Sequence, residues 1–445
     1  MKQKRGMDRR HFLKKSTFGM IGAGVLTAEN CKKAGEYAKE EGKKSLLKVK
    51  DYRILGRTGF RVSDIGGGYI KDEGLMSAAL DRGVNYIDTA EQYPGHHKIV
   101  GQAIKGRDRK SLFITSKLEV KKDKSKEGFK KRVQKALEEI GTDYIDCMMM
   151  HMPEKAEILG TEGFHAAMEE LKTEGRVRFV GVSNHGSFWF RDPEETMEKV
   201  LLTAAEDGRF DVFLMAYNFL QMDQAESVLE VCRKRKIGTA LMKTTPVAKY
   251  YGLKSRVEDL EKEGKDVHPF YKEGLQRFKR KADQAENFIQ KYDLQNPEEI
   301  KEAAIRFVLD NPNVNTVCCS MNTFDDLEKF VGLSGTNLRN WDKEKLAAYR
   351  EGCGQLYCRH ACGVCELRCP EGVPVNTIMR YNHYFLAQRR EKEAMRNYNN
   401  ISGPKADVCS QCPGYCEKAC PYGVPIQGML FLAHDLLSLE SSFDA

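Results

Sequence analysis

From Asp51 onward, short apolar runs alternate with longer charged segments in which apolar residues recur every three or four positions. Such alternation predicts repeated β-α units around a parallel sheet. The expected strands are Ser63 to Gly67, Val84 to Ile87, Leu112 to Thr115, Ile145 to Met150, Val177 to Val182, Val212 to Ala216, Gly238 to Met242 and Val314 to Cys318. Helical segments follow each of them, including Lys126 to Ile140 and Ala225 to Lys234. Eight such units close into a (β/α)8 TIM barrel, an α/β fold whose reactive groups stand at the C-terminal ends of the strands. An open doubly wound sheet is the alternative, and it calls for a Gly-rich phosphate turn after the first strand. Gly66-Gly67-Gly68 lies there without the G-x-G-x-x-G register, which favours the barrel. Tyr52 to Val62, two apolar stretches around a Gly-Arg-Thr-Gly turn, reads as a hairpin closing the barrel's bottom.

Two segments break this rhythm. Lys249 to Gln295 separates the seventh strand from its helix, where ordinary connections take about 2 to 6 residues. Its charged helical stretches, Lys254 to Lys265 and Leu275 to Lys291, either cover the cofactor and shape the pocket or form a decorative hairpin. From Trp341 the chain leaves the barrel altogether. There Val375 to Asn399 reads as one helix and Gln427 to Leu439 as an amphipathic closing helix.

Charge changes the picture only at the N-terminus. The chain of 445 residues carries a net +8, but residues 1 to 50 hold 14 Lys and Arg against 5 Asp and Glu, leaving 58 against 59 in the remainder. The folded body is therefore neutral, which argues against a nucleic-acid partner. Arg9-Arg10 followed by Phe12-Leu13-Lys14 and a weakly apolar run to Ala28 resembles a twin-arginine export signal. That resemblance implies a periplasmic or extracytoplasmic protein, with the leader either removed as a signal peptide or, uncleaved, kept as a membrane tether. The expected organisation is a leader over 1–28, a linker over 29–50, the barrel over 51–340 and a second domain over 341–445.

Candidate chemistry collects at three successive strand ends. The second strand supplies Asp88 and, on its loop, Tyr93; the third ends in Ile114-Thr115-Ser116-Lys117; the fourth ends in Met149-Met150-His151. A phenol is a poor acid near neutrality, and an adjacent ammonium is expected to lower its pKa. The carboxylate would hold that ammonium, and the imidazole would orient a carbonyl oxygen. Together the four suit protonation of an oxygen while hydride reaches carbon.

With these residues in place, the segment from about Asp51 to Leu333 resembles the aldo-keto reductase family. The resemblance rests on Tyr-x-x-Leu-Gly-x-Thr-Gly at Tyr52, Asp88-Thr89-Ala90, Tyr93, Lys117, His151 and Gly181-Val182-Ser183-Asn184. It implies a nicotinamide-dependent reductase acting on a small carbonyl or alcohol, with Tyr93 as general acid or base, Lys117 and Asp88 tuning it, and His151 orienting substrate. Ser183 and Asn184 would bind the nicotinamide carboxamide. Met242 stands where a stacking tyrosine is usual, Leu214 where a glutamine is, and the segment from Ser320 ends in Asp325-Asp326 where phosphate-binding relatives are basic. A carboxylate repels a 2′-phosphate, so NAD(H) is favoured over NADP(H), or nicotinamide binding is weak altogether.

Eight cysteines form two matching clusters, Cys358, Cys362, Cys365 and Cys369-Pro370, then Cys409, Cys412, Cys416 and Cys420-Pro421. Four thiolates per site suit zinc or iron–sulfur, and the Cys-Pro endings favour the latter. The repeat resembles bacterial-type ferredoxins, in which the fourth cysteine ligates the partner cluster. That implies one or two [4Fe–4S] clusters, one on Cys358, Cys362, Cys365 and Cys420, the other on Cys409, Cys412, Cys416 and Cys369. Two functions follow as expectations: an exported oxidoreductase passing electrons through its clusters to a redox partner protein, or an iron–sulfur electron-transfer or structural module that keeps the barrel as a scaffold.

Overall fold

A computed structural model describes residues 46–438 apart from 122, 186–193, 247–257, 259–260, 264–268, 293, 295, 361 and 389. The expected export signal and linker lie almost wholly outside the described residues, as does most of the insertion before residue 269. Among the described residues no helix is long and apolar enough to cross a membrane.

The expected hairpin is present: β1 (Tyr52–Ile54) pairs antiparallel with β2 (Arg61–Ser63), Tyr52 opposite Ser63. Eight parallel strands then close a barrel. They are β3 (Ile65–Gly67), β4 (Tyr86–Asp88), β5 (Phe113–Leu118), β6 (Ile145–His151), β7 (Val177–Asn184), β8 (Val212–Ala216), β9 (Gly238–Met242) and β10 (Thr316–Cys319), with β10 returning to β3. The strand alternation is visible in the three methionines of β6: Met149 points into the barrel interior, whereas Met148 and Met150 join the core under the helices. The hairpin plugs the bottom, with fully buried Leu55 entering the interior beside Val212 and Ala240. At Gly56, φ +48, a Cβ would lie 2.3 Å from the Gly238 nitrogen, so only glycine allows this approach.

Helices α1 (Glu73–Asp81), α2 (His96–Ile104), α3 (Lys126–Ile140), α4 (Glu162–Thr173), α5 (Met197–Asp207) and α6 (Asp223–Arg235) follow β3 to β8. The bounds of α3 were legible because Ser125 caps its start, accepting from the Gly128 N–H, and Gly141 ends it at φ 71. Beyond β9 come α7 (Pro269–Lys291), α8 (Pro297–Asp310), α9 (Phe324–Gly332) and α10 (Asn340–Cys353). The C-terminal segment adds α11 (Val375–Gln388), α12 (Glu391–Asn399), α13 (Tyr415–Ala419) and α14 (Ile426–Leu437).

Two expectations need correction here. The single helix over Val375 to Asn399 is broken into α11 and α12 at Arg390, φ −114 and ψ 44, whose guanidinium bonds Glu393 in the first turn of α12. The closing helix α14 is not amphipathic: residues Ile426 to Ala433 are buried in succession, so it is the centre of a second core. The described part of the insertion, α7, packs against it. A Cβ on Gly428 would fall 2.3 Å from the Gly274 carbonyl oxygen, which shows how closely the two backbones meet.

Candidate active site

Strand register brings the expected residues together. Asp88 pairs with Thr115 across β4 and β5, Lys117 with Met149 across β5 and β6, and His151 with Ser183 across β6 and β7. Asp88, Tyr93, Lys117 and His151 all line one cavity of about 390 Å³ at the C-terminal strand ends, together with Ser183, Met242 and Ser320. That volume suits a small ligand.

The carboxylate and ammonium form a buried pair. Lys117 is 1 % exposed, and its Nζ donates to Asp88 at 2.8 Å and to the Thr89 carbonyl at 2.7 Å. Thr115 Oγ1 donates to the same carboxylate at 3.0 Å. The Lys117 ammonium thus lies 4.8 Å from the centre of the Tyr93 ring while bonding to β4. The Tyr93 phenol consequently departs from the expectation of a lowered pKa. Burial, and then the negative charge of Asp88 and Tyr384, hold it well above its ordinary value, so Tyr93 is a protonated phenol at neutral pH.

His151 is held neutral, chiefly by burial and then by the Lys117 charge. Its Nδ1 lies 2.7 Å from Gln92 Oε1. The Gln92 amide nitrogen faces Glu91 Oε1 at 3.5 Å, which turns the Gln92 oxygen toward the imidazole. The ring proton then sits on Nδ1, leaving Nε2 as an acceptor. A half-turn of the Gln92 amide would reverse both roles, so Gln92 sets the tautomer. Gln92 went unnoticed in the sequence, although it stands beside Tyr93. His96 ties the site to its neighbours, since its Nε2 donates to the Ile70 carbonyl and its Nδ1 accepts from Thr89 Oγ1, both at 2.8 Å.

The cofactor-binding expectations divide. Ser183 Oγ is buried in the cavity wall with no hydrogen-bond partner among the described residues, a donor suited to a ligand's amide oxygen. Asn184 turns its Nδ2 to the Pro153 carbonyl at 3.0 Å and is not part of the cavity wall. Asp326 accepts from the backbone N–H groups of Asn322 and Thr323 at 3.0 and 3.1 Å, capping α9 at the end where a phosphate would otherwise be drawn.

The C-terminal segment reaches this cavity. Arg380 and Tyr384 on α11, and Arg390 and Glu393 at the α11–α12 break, are in its wall. Glu393 bonds Lys71 at 2.9 Å, linking the segment to the loop after β3. Nothing in the spacing of these residues signals a role at the barrel mouth.

The cysteines fall into two groups. Cys358, Cys362, Cys365 and Cys420 line one cavity, into which Asn376 Nδ2 donates to the Cys358 sulfur at 3.5 Å. Cys369, Cys409, Cys412 and Cys416 act on one another electrostatically, and the Val373 N–H donates to the Cys369 sulfur at 3.3 Å. Burial first, and then the neighbouring sulfurs, push the thiols of Cys358, Cys365, Cys409 and Cys416 up. The described cysteines are all free thiols. Among the described residues no three His, Cys, Asp or Glu side chains are gathered as ligands of a single metal ion.

Residues 71–350 match the model of the aldo/keto reductase family. The chain is 25% identical over 323 residues to the aldo-keto reductase YhdN of Bacillus subtilis, spanning 66% of this chain and 92% of that protein. It is 32% identical over 144 residues to the methylglyoxal reductase DkgB of Salmonella typhimurium, spanning 31% of this chain and about half, 51%, of that protein. Among solved structures, the aldo-keto reductase AKR11C1 from Bacillus halodurans is 20% identical, with 70% of this chain and 99% of that chain covered and a TM-score of 0.47. A family match across well over half of the sequence, falling on the closed barrel that carries the four strand-end residues, shows that the chain belongs to the aldo/keto reductase family.

Proposed function

We propose that the protein is an exported NAD(P)-dependent oxidoreductase that interconverts carbonyl and alcohol groups of small aldehydes, ketones or sugars, with Tyr93 as proton donor. The observation that carries this reading is the convergence of Asp88, Tyr93, Lys117 and His151 on one cavity. When bound, a nicotinamide supplies hydride to the carbonyl carbon. Tyr93, protonated because burial and Asp88 disfavour its phenolate, gives its proton to the carbonyl oxygen in reduction. Lys117, locked to Asp88, is placed to take up the phenolate charge that this transfer creates. Ser183 Oγ is the group best suited to the nicotinamide amide. The Asp326 carboxylate, accepting from the Asn322 and Thr323 N–H groups just ahead of α9, disfavours a 2′-phosphate, which supports NAD(H) over NADP(H).

The eight paired cysteines would hold one or two [4Fe–4S] clusters, which supply one-electron transfer when bound. The lining of one cavity by Cys358, Cys362, Cys365 and Cys420 supports the crossed ligand set. N–H groups on the Cys358 and Cys369 sulfurs are the contacts that tune such centres. Export rests on Arg9-Arg10 and would carry the loaded protein to an extracytoplasmic redox partner, with the leader as tether.

Full-length protein purified without oxygen provides the test. Bound iron, sulfide and nicotinamide are measured, then reduction of methylglyoxal and a set of aldehydes and sugars. Bound nicotinamide and turnover abolished by Tyr93→Phe are the expected results. If no nicotinamide binds and Tyr93→Phe changes no activity, the enzymatic reading fails and the barrel is a scaffold for electron transfer.

A further inference from the structure

We propose that Lys243, Arg380 and Tyr384 form a carboxylate- or phosphate-binding subsite over the four strand-end residues, so that the substrate carbonyl compound is anionic. This rests on the oxidoreductase reading and specifies its substrate class.

Lys243 follows β9 with φ 60, a left-handed conformation that a non-glycine residue adopts only where its surroundings hold it. Its carbonyl oxygen accepts from fully buried Asn218 Nδ2 at 3.0 Å, which pins the turn and directs the side chain into the cavity. Its Nζ lies 5.4 Å from the centre of the Tyr384 ring. Arg380, 7 % exposed, places its guanidinium carbon 5.7 Å from the same centre, and Arg390 stacks on it at 4.2 Å. Three cations thus converge on one phenol inside the cavity that holds Tyr93.

The carboxylates of that cavity are engaged elsewhere. Asp88 bonds Lys117, Glu393 bonds both Lys71 and Arg390, and Asp326 accepts from the Asn322 and Thr323 N–H groups. The positive potential is therefore concentrated at Lys243 and Arg380. Tyr384 registers it: burial raises its pKa, yet Lys243, Arg380 and Arg390 bring it down to about 7. A phenol oxygen and a substrate oxyanion respond to the same potential. Lys243 itself, lowered to about 8 by burial and then by Arg380 and Arg390, is still a cation at neutral pH. An oxyanion seated there shares these cations with Tyr384, so its binding and the protonation of Tyr384 are coupled. The other ionisable groups acting on or near Tyr384 are Tyr93, Tyr69, Tyr357, Tyr381, His383 and His185.

Matched substrates test the subsite in the full-length protein: 4-oxobutanoate against butanal, and glyceraldehyde 3-phosphate against glyceraldehyde. The anionic member of at least one pair should be favoured in kcat/KM by about tenfold or more, as charge-assisted bonds predict. Arg380→Gln should shrink that ratio by about tenfold, and Lys243→Met should do the same if the arginine variant fails to fold. A second readout needs no turnover. Succinate or inorganic phosphate near pH 7 should lower the ultraviolet phenolate absorbance, and Tyr384→Phe should abolish that response. Loss of turnover with the absorbance response intact would refute the reductase reading and leave the subsite standing. Ratios near one with an unresponsive phenolate would overturn the subsite. So would variants that weaken nicotinamide binding without changing the ratios, since the cations would then serve the cofactor's pyrophosphate.

Discussion

The barrel mouth and the cysteine segment hold their reactive groups in opposite ways. At the mouth, Lys117 and Asp88 are already paired, Thr115 and the Thr89 carbonyl complete their bonding, and the strand ladder fixes all of them without any ligand. In the segment, thiols are crowded and buried on short helices and turns, where burial and then the neighbouring sulfurs push their pKa up. One region pairs its charged groups with one another, whereas the other gathers like groups whose ionisation burial and mutual proximity disfavour.

Substitutions should reveal this contrast, and the largest effect belongs to the segment. Cys365→Ser should remove the iron from the site it shares with Cys358, and that centre's share of the broad visible absorption with it, while hydride transfer persists. If iron content is unchanged, the grouping of these thiols around one centre is wrong. Tyr93→Phe should lower kcat by ~10²- to 10⁴-fold, the usual worth of a positioned acid, with nicotinamide affinity unchanged in a fluorescence titration. Lys117→Met leaves Asp88 buried and uncompensated, and should cost ~3–5 kcal/mol in denaturant unfolding. Adding Asp88→Asn should recover much of that stability without restoring turnover.

A pH experiment separates the regions at smaller scale. Burial foremost lowers the pKa of His96 from 6.5 to about 4. Between those values the unfolded chain binds the extra proton, so stability rises with pH. The contribution is complete above pH 6.5 and is lost as pH falls toward 4, about 3 kcal/mol in all. His96→Gln should flatten that part of the melting profile, and an unchanged slope would reassign the acid lability to another group. Smallest of all, Ser183→Ala should weaken nicotinamide by about fivefold, the worth of one hydrogen bond near 1 kcal/mol.

The mouth was legible because its chemistry is local to strand ends. The short apolar run from Ile145 to Met150 marks a strand, and Asp88, Lys117 and His151 follow from where each run stops. What the sequence misjudged depends on direction and distance. Asp88 holds the Lys117 ammonium as expected, but the Tyr93 pKa expected to fall beside it is raised, because burial and then the Asp88 charge outweigh the ammonium. Asn184 continues β7 next to Ser183, and alternation turns it to Pro153 and away from the cavity. Arg380 and Tyr384 share one face of a helix that begins more than 130 residues after Lys243, so only tertiary packing brings them together. The break at Arg390 carries no proline or glycine, and nothing local announces it.

The meeting of Gly274 and Gly428 has a practical consequence for dissecting the chain. It joins a helix inserted ahead of the last β-α unit to the last described helix, some 150 residues later. A barrel truncated at residue 340 would still carry α7, whose Leu275, Phe278, Ala282, Ala285 and Ile289 belong to the core shared with α14. Cutting there would bare an apolar helix face at the mouth, and the isolated barrel should self-associate. The seam along which this protein comes apart is therefore not the point where the family match ends.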